Sequence, residues 1–257
     1  SARYRKSYNI FLKMFNKIFC VSDNDYRQIK MNISNDKIYK IGNPRYDRIL
    51  NNLENVEYKL DPSIKNEGNI LIFASMWDED NKIIFEKFIN SPLVNRFEKV
   101  IIVPHEVNDY YLNYYCSVLE DNDFSFKKIN QYQNFNQFEE EYIIINKVGF
   151  LSKLYAQSTI AYVGGGFSKS GIHNIIEPAA ASNPVIFGSN FLNSNKSDAE
   201  SLIDFSGGFS VDSYDLFTEK INWLLDKNNY NNSSKNCKTF VTENSGSTEK
   251  ILKELYE

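Results

Sequence analysis

The chain has 257 residues, 42% of them apolar and 24% charged, with a net charge of −4. That is room for one large domain, or one domain and part of another, and the acidic balance excludes a broadly basic nucleic-acid binder. No apolar run nears the roughly 18–20 residues of a membrane span, and three scattered cysteines, Cys20, Cys116 and Cys237, argue against a disulfide framework or a zinc site and fit a reducing compartment.

The charge is uneven. Residues 1–20 hold Arg3, Arg5, Lys6, Lys13 and Lys17 and no acid, which leaves −9 on the rest. Interleaved with Tyr4, Tyr8, Phe11, Leu12, Phe15, Ile18 and Phe19, they predict a helix over 1–19 with a wide apolar side. Such an arm either packs on a domain or meets an anionic membrane surface. The chain starts at Ser1 inside this pattern, reads as a piece of a longer protein or a processed product, and shows no signal peptide.

A strand is expected over 18–22, a helix capped by Asp23 over 24–30, and a strand over 37–41 broken by Gly42-Asn43-Pro44. Residues 51–68 read as a polar loop or linker. From there strands alternate with helices. Strands are expected at 69–74, 100–104, 142–146, 160–164, 184–187 and 208–211. Helices are expected at 81–88, 109–119, 150–156, 175–181, 198–205, 214–226 and 247–256. The Asn-rich stretches 190–196 and 228–236 read as mobile surface loops. Short, uniformly apolar strands separated by helices predict an α/β fold: a Rossmann-like, doubly wound parallel sheet over about 69–240.

In such sheets ligands bind beyond the carboxyl ends of the strands. Ser75, Met76 and Trp77 follow the strand 69–74. Pro104, His105 and Glu106 follow the next, Lys147, Val148 and Gly149 the one after, and Gly164, Gly165, Gly166 and Phe167 the fourth. The stretch 162–180 is the most informative. Its glycines let a backbone approach a ligand closely, and it leads into a helix start, where free N–H groups favour an anion. It matches neither GxGxxG nor a P-loop. Glu177 has two readings: partner of an Asn174 cap, or acceptor of both hydroxyls of a ribose. The chain has only two histidines, and both, His105 and His173, fall at this edge. Their separation, with no HExxH pattern, does not suggest zinc; no metal and no cofactor is expected.

The segment 163–187, GGGF…GIHN..EPAA…PVIFG, resembles the 3-deoxy-D-manno-octulosonic acid (Kdo) transferases of lipopolysaccharide synthesis. The similarity extends to Ser1-Ala-Arg, to Gly42-Asn-Pro-Arg-Tyr-Asp, to Ala74-Ser-Met-Trp-Asp-Glu-Asp (the family's Ser-x-[His/Trp]-x-x-Glu) and to Val148-Gly-Phe-Leu. The resemblance implies a GT-B fold of two Rossmann-like domains. Residues 1–43 would be the end of the N-terminal acceptor domain and crossover, with Asn43 and Arg45 at the crossover. Residues 44–240 would be the C-terminal nucleotide-sugar domain, and 241–257 a helix returning to the N-terminal domain.

The resemblance further implies CMP-Kdo as donor, a lipid A precursor as acceptor, work at the cytoplasmic face of the bacterial inner membrane, peripheral contact with anionic membrane, and no nucleic acid. Transfer would invert the anomeric centre without metal. The family's general base lies in its N-terminal domain, so a donor-binding fragment inactive alone is expected. In donor binding, Gly165, Gly166, Gly171, His173 and Asn174 would hold the phosphate or the Kdo carboxylate, and Glu177 the ribose. Val148 and Gly149 would present backbone groups to cytosine, and Ser75, Trp77 and His105 would line the pocket. One departure matters: Pro104-His105 lacks the arginine of the family's Pro-Arg-His, for which Arg45 or Lys169 would have to stand in. The alternatives are another GT-B enzyme using a UDP- or GDP-sugar, an epimerase on that fold, or a non-catalytic Rossmann-like domain.

Overall fold

The structure, a computed structural model, describes residues 10–33, 35–60, 69–192 and 195–256; the Ser1-Ala-Arg segment and the first half of the basic arm lie outside them. The chain divides into two compact units, one joining the chain up to Asn51 with Thr242–Glu257, the other running Asn52–Val241.

In the first unit β1 (Ile18–Cys20) pairs in parallel with β2 (Ile38–Lys40). Between them lies α1 (Asp23–Lys30). Its cap is Ser22, one residue ahead of the expected Asp23: the Ser22 hydroxyl accepts from Asp25 N at 3.1 Å, and the Asp25 carboxylate accepts from Ser22 N at 3.2 Å, a reciprocal capping box. Ile10, Phe11, Met14 and Phe15 are exposed and Leu12 is buried. The Gly42-Asn43-Pro44 turn opens a helix, α2 (Pro44–Glu54), where a loop was expected from residue 51. Proline at a first helical position loses no hydrogen bond, and Asn43 Oδ1 accepts from Arg45 N at 3.0 Å.

The second unit is a sheet of seven parallel strands. Its elements in chain order are β3 (Ile70–Met76), the continuous helical run α3 (Asp78–Asp80, Asn81–Phe85, Glu86–Ile89), β4 (Lys99–Pro104), α4 (Asp109–Glu120), β5 (Phe126–Ile129), β6 (Tyr142–Ile145), α5 (Leu151–Leu154), β7 (Ile160–Val163), α6 (Ile176–Ala180), β8 (Val185–Gly188), α7 (Lys196–Asp204), β9 (Gly208–Val211), α8 (Tyr214–Leu224) and α9 (Lys227–Glu243). A last helix, α10 (Ser247–Tyr256), belongs to the first unit. Alternate strand residues serve opposite cores. Leu71, Phe73, Val100, Ile102, Tyr142, Ile144, Ile160 and Tyr162 pack with Phe85, Phe88, Tyr115 and Phe217; Ile72, Ala74, Ile101, Ile143 and Ala161 pack with Leu154 and Tyr155. Two buried faces explain why these strands are apolar throughout rather than alternating.

Three differences from expectation have physical causes. α3 starts at Asp78, not 81, and includes a wide turn in which Glu86 N donates to Asn81 O. β5 is an edge strand whose Phe-Lys-Lys-Ile sequence carries too little apolar signal. The Asn-rich stretch 228–236, expected as a mobile loop, lies in the 17-residue α9. Buried Tyr230, Ser233, Cys237, Phe240 and Val241 recur every three to four residues, and Asp226 Oδ1 accepts from Asn228 N and Asn229 N, both at 3.0 Å. Tertiary burial outweighs the poor helix propensity of asparagine.

Asp47 closes the first unit. Its carboxylate accepts from Gly246 N and from Thr248 N, the latter at 2.6 Å, at the start of α10. Burial alone would raise its pKa, but hydrogen bonds from Thr248, Gly246 and Ser247 outweigh that and lower it. The folded pKa therefore lies below the unfolded value of about 3.9, and the stability this group contributes is present above that value and lost as pH falls through the folded pKa. Asp47→Ala is expected to cost about 1–2 kcal/mol at pH 7, with the gap to wild type closing below about pH 4 in denaturant titrations.

Candidate functional site

β3 sits in the middle of the strand order β5-β6-β4-β3-β7-β8-β9. The connection leaving β3 runs to one side, to β4, and the one leaving β7 runs to the other, to β8. A crevice therefore opens between the carboxyl ends of β3 and β7, the position where ligands bind in open α/β sheets.

Ser75 and Gly164 meet at its base. Ser75 is a non-glycine residue at φ +56°, the pairing of β3 with β4 slips beside it between Ala74 and Met76, and a Cβ on Gly164 would run into the Ser75 carbonyl oxygen. Strained backbone of this kind concentrates at functional sites. Gly165 (φ +93°) has no room for a Cβ against the Gly171 carbonyl. A Cβ on Gly166 would lie 2.5 Å from Gly188 Cα. The turn is pinned by Ser168 Oγ donating to Gly165 O at 2.9 Å and by Asn190 N donating to Gly166 O at 2.8 Å.

The carboxylate that ends the Ala74–Asp80 stretch, given no role from the sequence, holds the turn. Asp80 is fully buried. Its Oδ2 accepts from Gly165 N at 2.8 Å and Trp77 N at 3.1 Å, and its Oδ1 from Tyr162 Oη at 2.6 Å. Burial raises its pKa, against those three hydrogen bonds. The available signal was helical spacing: Asp80 shares a face with Ile84 and Phe88, both fully buried, and an acid on a core stripe is costly unless bonded. The same geometry corrects one expectation. The Gly165 amide, assigned to an anion, is taken by Asp80; the Gly171 and His173 amides are taken by Ser168 O and Gly164 O. The amides of Gly166, Asn174 and Ile175 make no hydrogen bond among the described residues, and Gly166 and Ile175 are buried. Buried N–H groups without partners are rare in native folds, so this loop is equipped to accept an oxygen-rich ligand.

Trp77, His105 and His173 come together from three separate strand ends. Trp77 Nε1 donates to His173 Nε2 at 2.7 Å. These two rings lie side by side, 10° apart in plane. His105 stacks over both, with centroids 3.9 Å from Trp77 and 4.5 Å from His173. Burial lowers the pKa of His105, with Glu106 acting the other way. Burial, then the neighbouring His105, lowers that of His173. Both rings are held neutral near pH 7.

Asn174 and Glu177 do not form the capping pair. α6 is only five residues long with Ile175 at its cap; Asn174 Oδ1 accepts from Ile176 N at 3.0 Å, and Glu177 is the second helical residue. So short a helix sums few peptide dipoles, and what the loop offers is individual amides. Glu177 is half-buried. Val148 and Gly149 (φ +104°) are exposed after β6, two strands from β3. Asn43 and Arg45 belong to the other unit. Among the described residues no group of three or more His, Cys, Asp or Glu side chains is arranged to hold a metal ion, and no helix is long and apolar enough to cross a membrane.

A doubly wound parallel sheet with a glycine turn at its switch point is the fold of the GT-B glycosyltransferases. Over nearly its whole length the chain is similar in sequence to Kdo transferases. It is 26% identical over 244 residues to a 3-deoxy-D-manno-octulosonic acid transferase of Chlamydia trachomatis serovar D, covering 92% of this chain and 55% of that protein. It is 27% identical over 252 residues to a bifunctional glycosyltransferase/methyltransferase of Fusobacterium nucleatum, covering 94% of this chain and 37% of that protein. The C-terminal CMP-Kdo binding domain of WaaA from Acinetobacter baumannii superposes with a TM-score of 0.57 at 15% identity, covering 77% of this chain and 98% of that domain. No protein-family model matches the chain. The chain spans about half the length of the curated relatives it matches.

Proposed function

We propose that this chain binds the donor, CMP-Kdo, of a Kdo transferase, and that the unit Asn52–Val241 carries that role. The observation that supports it most directly is the pair of buried, unpartnered amides at Gly166 and Ile175 beside the glycine turn, in a chain related to Kdo transferases. On this reading the amides of Gly166, Asn174 and Ile175 receive the phosphate or the Kdo carboxylate. Gly165 and Gly171 supply the backbone shape, Ser75, Trp77, His105 and His173 line the pocket, Val148 and Gly149 meet the cytosine, and Glu177 accepts the ribose hydroxyls. Fixed N–H donors stabilise the charge on departing CMP without moving a proton. The acceptor is a lipid A precursor at the cytoplasmic face of the inner membrane, and transfer is inverting and metal-independent with a carboxylate base from the family's N-terminal domain.

Calorimetric titration with CMP tests the donor role. Glu177→Ala is expected to weaken CMP about 10- to 100-fold, the loss of hydrogen bonds to a charged acceptor. Unchanged affinity removes Glu177 from the ribose. UMP or GMP binding more tightly than CMP overturns the donor assignment in favour of another nucleotide sugar.

A further inference from the structure

An indole N–H can only donate, and a neutral imidazole has one donor and one acceptor nitrogen. At 2.7 Å from Trp77 Nε1, His173 Nε2 is the acceptor, so the ring proton sits on Nδ1. His173 Nδ1 has no partner among the described residues. The three rings are each tied by main chain. Trp77 N donates to Asp80, His105 N to Met76 O at 3.0 Å, and His173 N to Gly164 O at 3.2 Å. The Trp77–His173 pair is thus built into the crevice rather than formed by mobile side chains, and His105 covers it.

We propose that Trp77 is a positioning residue that fixes His173 in its Nδ1–H tautomer, leaving Nδ1–H as a neutral hydrogen-bond donor for the ligand held at the glycine turn. The ligand-facing half of this proposal rests on the donor reading above. The assignment has a chemical consequence. His173 cannot serve as a general base through Nε2 without breaking the indole bond, because a protonated Nε2 would confront another donor. Nor is it a standing cation, since burial and the stacked His105 oppose its charge. It resembles a backbone amide in function: a fixed, uncharged donor in a partly dry site. The ionisable groups around it are consistent with that role: Asp80 is engaged by Trp77, Gly165 and Tyr162, and Glu106 acts on His105.

The test is nitrogen-15 NMR of the imidazoles in the whole chain, where two histidines make assignment simple. Wild type is expected to show a protonated Nδ1 and a bare Nε2 for His173. Trp77→Phe keeps an aromatic ring under His105 but removes the donor. It is expected to move His173 toward the Nε2–H form, raise its pKa, and weaken CMP roughly tenfold, about one hydrogen bond. A wild-type His173 with its proton on Nε2 overturns the tautomer lock outright, with no variant needed. A tautomer that shifts in Trp77→Phe while CMP affinity stays the same overturns the role toward ligand. A chain with the expected tautomer that binds no CMP overturns the donor reading and the ligand-facing half together, and leaves the lock standing.

Discussion

Asp80→Ala is expected to destabilise the sheet unit by on the order of 4 kcal/mol, and Asp80→Asn by about 1–2 kcal/mol. The two variants remove the same charge, so the contrast is about hydrogen bonds. Alanine strips the acceptor from Gly165 N, Trp77 N and Tyr162 Oη at once. Tyr162 is completely buried, so water cannot easily replace the lost oxygen, and a cavity is added. Asparagine can place its oxygen where Oδ2 stands, keeping both amides, and turn its NH2 toward the tyrosine oxygen, so that only the Tyr162 hydroxyl proton loses its acceptor.

Titration adds a sign. Burial raises the Asp80 pKa in the fold, so the folded state holds that proton more tightly than the unfolded chain. Its contribution is complete below the unfolded pKa of about 3.9 and is lost as pH rises through the folded value. Asparagine does not titrate. The stability of Asp80→Asn relative to wild type should therefore grow as pH rises above about 4 and level off once pH passes the folded value, followed by denaturant midpoints at each pH. An asparagine variant as damaged as the alanine one would mean that the turn needs the charge itself.

The difference between what the sequence discloses and what it hides is visible in these same residues. β3, β4, β6 and β7 are legible because each is an apolar run closed by polar or glycine residues, and a sheet covered on both faces demands that pattern. The rule that ligands gather at strand ends then selects Trp77, His105, Gly165, Gly166 and His173, which the fold brings to one crevice. Asp80 is hidden because its partners Tyr162 and Gly165 are 82 and 85 residues away, and no local pattern announces a pairing at that separation. The engagement of the Gly165 amide is hidden for the same reason. β5 and α9 are hidden differently. Their residues carry weak or contrary propensity, and burial against the rest of the unit decides them.

Gly166→Ala is expected to cost at least about 3 kcal/mol, the upper end for overpacking, and to lower the melting temperature by roughly 6–12 °C. The reason is what the new methyl would meet. A Cβ on Gly166 stands 2.5 Å from Gly188 Cα and 2.6 Å from its N and O; a Cβ on Gly188 stands 2.5 Å from Gly166 C and 2.6 Å from its O. Both walls are main chain. Gly188 ends β8, paired with β7 on one side and β9 on the other, so relief requires prising a strand from the sheet. Gly149→Ala is the control. Gly149 has φ +104° and nothing within 4 Å of an added Cβ, so its substitution costs only backbone strain, about 1–2 kcal/mol. Gly166→Ala should also abolish CMP binding where the protein still folds, because moving β7 from β8 displaces the free Gly166 amide. A Gly166→Ala chain that melts within about 2 °C of wild type, less than 1 kcal/mol at this size, would show that the Gly166–Gly188 contact is not the rigid wall on which the proposed donor site is built.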